Sequence, residues 1–219
     1  MIFPELQNKK SCEVNLNKEA KLWVSERTFS GDKNPLLNPE ICQSMVSDVH
    51  KKYGVDYSYG GFMEDRSFLW KGSYLEEGVK FIHLGVDLNV PAGTSVALDF
   101  NAEVVHIDDD YPEEGGWGPR VIVRHETGPV RCVYAHLDRE ITCKVGDKLK
   151  SGSIFAKVGE PPTNGNWFPH LHVQIVDADH FELLKSSNRL HELDGYGNEA
   201  DKPDFKRNFR DPMDYVRLH

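Results

Sequence analysis

The sequence predicts a mainly β protein: an antiparallel β-sheet or sandwich core carrying a partly helical N-terminal extension. Two observations lead there. From about residue 57 to 176, short runs of alternating apolar and polar residues are punctuated by glycine and proline. Only before residue 57 does an apolar stripe with helical spacing stand out. With 219 residues, 39% hydrophobic and 28% charged, the chain suits one good-sized domain with extensions.

Taken in order, residues 1–56 form an extension with one clear helix. Asn38 is placed to cap it, Pro39 suits its first position, Ile41, Met45, Val46 and Val49 form an apolar stripe, and Gly54 ends it. Residues 57–176 form the β domain, with strands expected at 121–125, 131–137, 154–158 and 170–176. Residues 177–219 are charged and loop-rich and are expected to pack on the core, with Asp211-Pro212 starting a last short helix that ends near Leu218. There is no internal repeat or low-complexity segment.

Side chains in a strand alternate faces. His170, His172 and Gln174 therefore share one face and Leu171, Val173 and Ile175 the other, so one face reads as core and its opposite as a site. His83 and Asp87 also share parity, but straight strand would hold them about 13 Å apart. A bend is needed between them, and Gly85 is placed to make it. His83, Asp87, His136, His170 and His172 supply neutral imidazole and carboxylate, the donors that zinc prefers. A catalytic zinc keeps only three protein ligands so that water holds the fourth position, which makes five groups two more than the metal needs.

Several stretches carry a family resemblance. His83-x-x-x-Asp87 is followed by Val90-Pro-Ala-Gly-Thr94, Tyr134-x-His136-Leu137, the glycine turn from Val145 to Gly152, Val158-Gly159 and His170-x-His172. In that order, over about residues 81–176, they resemble the lysostaphin/LytM-type zinc metallopeptidases, a peptidoglycan endopeptidase-like family with the duplicated hybrid motif. The agreement of many short motifs is far more specific than any one. The resemblance implies a LytM-type β core and a Zn2+ held by His83, Asp87 and His172, with His136 and His170 unligated beside the water. Zinc acidifies bound water to a pKa of about 7 and polarises a scissile carbonyl. His170 is then the expected general base, and His136 a hydrogen-bond donor to the oxyanion or the leaving amine. The sequence leaves open which histidine does which.

The aromatic and charged run 59–70 directly precedes the zinc strand. Its plain reading is an edge strand with a solvated ion pair. Together with 164–172 it also resembles the stretch found where a LytM-type domain is embedded in large soluble proteins with aminotransferase-like domains. That resemblance implies that Arg66 pairs with a substrate carboxylate through its planar fork, and a soluble peptide or amino-acid derivative as substrate. The run's place beside the zinc strand, after a long polar extension, leads us to expect it to form one wall of the groove.

The formal net charge of −9 argues against a nucleic-acid or anionic-membrane surface, and it contrasts with the basic character useful for holding an anionic cell wall. No run of about 20 apolar residues is present for membrane insertion. The first ten residues lack a basic segment followed by an apolar one, so a cytoplasmic protein is expected unless the numbering starts after processing. Cys12, Cys42, Cys132 and Cys143 have neither metal-site spacing nor the density of a disulfide scaffold and read as free thiols by default, with a Cys132–Cys143 bridge between neighbouring strands as the alternative. His50, His106, His125, His180, His191 and His219 read as ordinary polar side chains. The expected function is a zinc-dependent metallopeptidase or amidase acting on a peptide or peptidoglycan-fragment substrate. A non-catalytic or regulatory module that keeps the zinc site for a ligand is the alternative.

Overall fold

Alternation of apolar side chains builds a large sheet whose central strands are covered on both faces. The computed structural model describes residues 1–110 and 115–218, so His219 lies outside the described residues. The N-terminal part holds β1 (Ser11–Glu13), α1 (Leu16–Ser25) and α2 (Pro39–Tyr53). The β region runs through β2 (Tyr57–Tyr59), β3 (Lys80–His83), β4 (Val86–Asn89), β5 (Ser95–Ala97), β6 (Ala102–Asp110), β7 (Gly118–His125) and β8 (Val130–Ala135). It continues with β9 (Lys148–Leu149), β10 (Ile154–Lys157) and β11 (Leu171–Asp177). After it come α3 (Ala178–Ser186), β12 (Tyr196–Asn198), α4 (Lys202–Asn208) and β13 (Phe209–Arg210).

The main sheet has the order β1-β2-β4-β11-β8-β7-β6-β9, with β13 also on β11. Its pairs are antiparallel except for β1 with β2. Two small sheets, β5 with β10 and β3 with β12, lie outside that path. Leu171, Val173 and Ile175 of β11, Cys132 and Tyr134 of β8, and Val121 and Val123 of β7 face one core with Val96 and Phe155. The opposite parity, Val176, Val133 and Ile122, packs against Phe181 and Leu184 of α3. Both faces of the central strands are thus dry over much of their length, which ties the site-bearing edge of β11 to a rigid scaffold.

The helix read from the sequence is α2. Asn38 accepts hydrogen bonds from the amides of Glu40 and Ile41, Gly54 closes the helix at φ 64°, and Cys42, Met45, Val46 and Val49 are buried. The extension holds a second helix, α1, which the sequence reading did not include. Its inward face is partly polar, and those groups are satisfied only by distant residues. Glu19 accepts from Lys52 and Tyr53, and Asn17 accepts from the amides of Phe68 and Leu69. The extension is also joined to the sheet, since β1 pairs with β2.

The C-terminal part departs from the expected loops. Asp177 caps α3 directly at the end of β11, and β12 and β13 pair with β3 and β11. The helix expected from Asp211 is one 3-10 turn, Pro212–Asp214, because the following residues are needed elsewhere. Val216 and Leu218 are buried in the main core, and the carbonyl of Arg217 accepts from the amide of Ile2. All four cysteines are free. No helix among the described residues is long and apolar enough to cross a membrane.

Candidate metal centre

Three donors converge where β4 meets β11. His172 and Asp87 are direct antiparallel neighbours in that pair. His83, at the end of β3, reaches the same point because the chain bends at Leu84-Gly85. A Cβ on Gly85 would lie 2.5 Å from the Val173 carbonyl oxygen and 2.6 Å from His172 Nε2, so the bend depends on a residue without a side chain. His83 Nε2 lies 3.0 Å from His172 Nδ1 and 3.2 Å from Asp87 Oδ1, and His172 Nδ1 lies 3.1 Å from the same oxygen. All three side chains are buried, and among the described residues they form a group able to hold a metal ion.

The tautomers favour a cation at that point. Gln174 Nε2 donates to the carbonyl of Asp194, which orients the amide so that its oxygen accepts from His172 Nε2. A neutral His172 therefore carries its proton on Nε2 and turns the Nδ1 lone pair toward His83 and Asp87. Tetrahedral zinc with ligands at about 2.0 to 2.1 Å separates them by roughly 3.3 to 3.4 Å, so the donor triangle is close to the required size. Burial pushes His83 down to about 4, favouring the neutral ring that a metal needs. Burial opposes ionisation of Asp87, but the histidine rings packed around it, foremost His83 and then His170, outweigh that and hold the carboxyl well below its usual range.

His136 and His170 stand beside this triangle, with ring centroids 4.6 Å apart. His170 Nδ1 donates to the Phe168 carbonyl at 2.7 Å, and its Nε2 faces Asp87 Oδ1 at 3.5 Å. His136 follows the last residue of β8 with φ 62°, a left-handed conformation uncommon outside glycine. Its Nδ1 donates to the Asn164 carbonyl at 3.0 Å. Each neutral ring is thus fixed with a bare Nε2. Burial lowers both pKa values, that of His136 well below the ordinary range, with the neighbouring histidines adding to the effect there.

The site opens into a cleft of about 400 Å³ that includes Asp87, His136, His170 and His172. Its walls are aromatic: Trp70, Tyr74, Trp117, Trp167 and Tyr196. The sequence reading assigned no role to Trp117, Trp167, Asn164, Tyr196 or Asp194. Trp167 lies in the stretch 164–172 that carried part of the resemblance, whereas Tyr196 comes from a region read as loop and is delivered by the pairing of β12 with β3. His191, read as an ordinary polar residue, also lines the cleft. Among the described residues, none from 1–56 does so.

Arg66 is a correction. Its side chain is 0% exposed and does not line the cleft, so a substrate carboxylate has no route to it. It lies instead between Glu64, at 3.0 Å, and Asp87 Oδ2, at 3.7 Å. The plain reading of the same run fails as well, because the ion pair is buried and the chain beyond Tyr59 proceeds by turns with a single bridge, Asp65 to Ile82. The run does fold beside β3, and Trp70 forms part of the cleft wall.

The family model described as "Peptidase family M23" matches residues 81–182. Among solved structures, the chain is similar to LytU, at 29% identity over 44% of this chain and 63% of that chain, TM-score 0.39. It is similar to a mutant catalytic domain of the prophage-encoded M23 protein EnpA from Enterococcus faecalis, at 27% identity over 44% and 68%, TM-score 0.38. It is also similar to the catalytic domain of the antimicrobial peptidase lysostaphin from Staphylococcus simulans, at 23% identity over 73% and 91%, TM-score 0.46. The alignment thus spans somewhat less than two thirds of the LytU chain. Among curated protein sequences, none matches the chain. The matched segment holds His83, Asp87, His136, His170 and His172 in the order the motifs require, and it is this segment, residues 81–182, that is similar to peptidase family M23.

Proposed function

We propose that this domain is a zinc-dependent metallopeptidase or amidase that hydrolyses a peptide-like amide, either peptidoglycan-type or in a small soluble peptide. The observation that carries the reading is the convergence of three donor atoms, His83 Nε2, Asp87 Oδ1 and His172 Nδ1, beside the His136 and His170 side chains that line the cleft. Zinc, when bound, supplies the Lewis acidity and the acidified water that amide hydrolysis needs.

His170 presents a bare Nε2 toward Asp87 and the cleft and serves as the general base. His136 presents a bare Nε2 too, so it donates to an oxyanion or leaving amine only after receiving a proton. The cleft suits an uncharged or cationic peptide. Its described lining has aromatic walls and the carboxylates of Asp110 and Asp194, and it contains no Lys or Arg.

The test combines elemental analysis with cleavage assays on pentaglycine, muropeptides containing D-amino acids, and ordinary peptides. About one zinc per chain is expected, together with cleavage of at least one substrate that stops on chelation. His170→Ala should keep the metal and lose roughly 10² to 10⁴ in rate. A zinc-saturated protein that cleaves none of the substrates would favour the ligand-binding module instead.

A further inference from the structure

A buried ion cluster lies behind Asp87, and the proposed chemistry does not use it. Arg66 is fully buried, with Nη2 3.0 Å from Glu64 Oε2 and Nη1 3.7 Å from Asp87 Oδ2. The guanidinium nitrogens and both Glu64 oxygens lack a well-aligned hydrogen bond, so charge holds the group together more than geometry does. Gly60 makes room for it, because a Cβ there would lie 2.4 Å from Arg66 Nη2. The Gly60 amide also donates to the Asp87 carbonyl, tying the cradle to the strand that carries the carboxylate. Burial works against the charge on Arg66, and the carboxylates of Glu64 and Asp87 outweigh it.

A cluster of this kind is a poor way to stabilise a core, since apolar residues of similar volume often do as well or better. Its position suggests another role. The two oxygens of Asp87 face different partners: Oδ1 meets His83 and His172, and Oδ2 meets Arg66. We propose that Arg66 is a positioning residue for the metal site. It draws Oδ2 outward so that Oδ1 alone is offered to the cation, and Glu64 neutralises the guanidinium so that it does not repel that cation. Glu64, Arg66 and Asp87 together carry the same formal charge as Asp87 alone, so the cluster orients the ligand without reducing its negative charge. This inference rests on the reading of His83, Asp87 and His172 as zinc ligands.

The test measures zinc affinity by competition with a chromogenic chelator. The absorption spectrum of the cobalt-substituted protein and the denaturation curve of the metal-free protein are recorded for each variant. Glu64→Gln leaves the guanidinium uncompensated and should weaken zinc about 10-fold or more. The double variant Glu64→Gln/Arg66→Met restores the formal charge and places no lone ion in the core. It should still bind zinc about 10- to 100-fold more weakly, the usual effect of losing an outer-shell partner, and give an altered cobalt spectrum. Arg66→Lys, which keeps the charge without the fork, should fall between the double variant and wild type. Wild-type zinc affinity and cobalt spectrum in the folded double variant would show a merely structural cluster and overturn the proposal. If the double variant does not fold, unchanged zinc affinity in Glu64→Gln overturns it equally. Failure of the wild-type protein to bind zinc would refute the metal reading itself and take this proposal with it, whereas normal wild-type binding that is lost in Asp87→Ala isolates the outcome to Arg66.

Discussion

Replacing Gly85 with alanine tests the geometry of the site more sharply than removing a ligand. The added Cβ would lie 2.5 Å from the Val173 carbonyl oxygen and 2.6 and 2.7 Å from Nε2 and Cε1 of the His172 ring. Contacts become tolerable at 3.0 Å and ordinary at 3.4 Å, so something must move by about 0.5 to 0.9 Å. Neither neighbour yields easily. The carbonyl belongs to β11, paired with β4 on one side and β8 on the other, and the ring is held by its hydrogen bond to Gln174. Overpacking of a well-filled region costs about 1 to 3 kcal/mol, and a ring displaced by that distance no longer points Nδ1 at the other donors. Gly85→Ala should therefore unfold at lower urea concentration with an unchanged m-value, and bind zinc at least about 10-fold more weakly. Equilibrium denaturation and chelator competition measure the two effects separately. Wild-type stability together with wild-type zinc affinity would refute the claim that the bend brings His83 and Asp87 together at the cost of any side chain there.

Three further outcomes are expected. Asp87→Ala and His172→Ala should each lose zinc on elemental analysis, because two remaining ligands hold the metal poorly against water; full occupancy in either would be inconsistent with the ligand set. Gln174→Leu should fold, since the residue is buried on a packed strand, but bind zinc about 10- to 100-fold more weakly because nothing fixes the His172 tautomer. On β6, whose partner Arg120 packs against the cleft-wall residue Trp117, burial disfavours the charge on Asp108, but hydrogen bonds from Arg120 and His106 prevail and hold its carboxyl well below the usual range. A depressed folded pKa contributes stability above the unfolded value of about 3.9 and loses it as pH falls further. Asp108→Asn should therefore cost about 1 to 3 kcal/mol at pH 7, with the difference in melting temperature narrowing from about pH 4 downward; a difference independent of pH would show that the ion pair is not its source.

What the sequence determined by itself is local in origin. Strand alternation placed Leu171, Val173 and Ile175 in the core and turned His172 and Gln174 the other way, where they meet each other, with His170 just before the strand lining the same cleft as His172, because side-chain direction follows from backbone period alone. The capping chemistry of Asn38 and Gly54 marked α2, since both act within a few residues of themselves. The need for a bend at Gly85 followed from strand length. Features that depend on distant partners were not legible in this way. The helix α1 buries Glu19 and Asn17 against Lys52, Tyr53 and the backbone near Phe68, so its inward face does not look apolar. Tyr196 reaches the cleft only through the pairing of β12 with β3, more than a hundred residues away in sequence. For Arg66 the local pattern was misleading: a guanidinium among aromatic residues reads as a surface group meeting an anion. Whether that anion belongs to a substrate or to the chain depends on which side of the ligand strand it packs. The tertiary fold decided this by burying Arg66 between Glu64 and Asp87, where desolvation makes an internal counter-ion necessary.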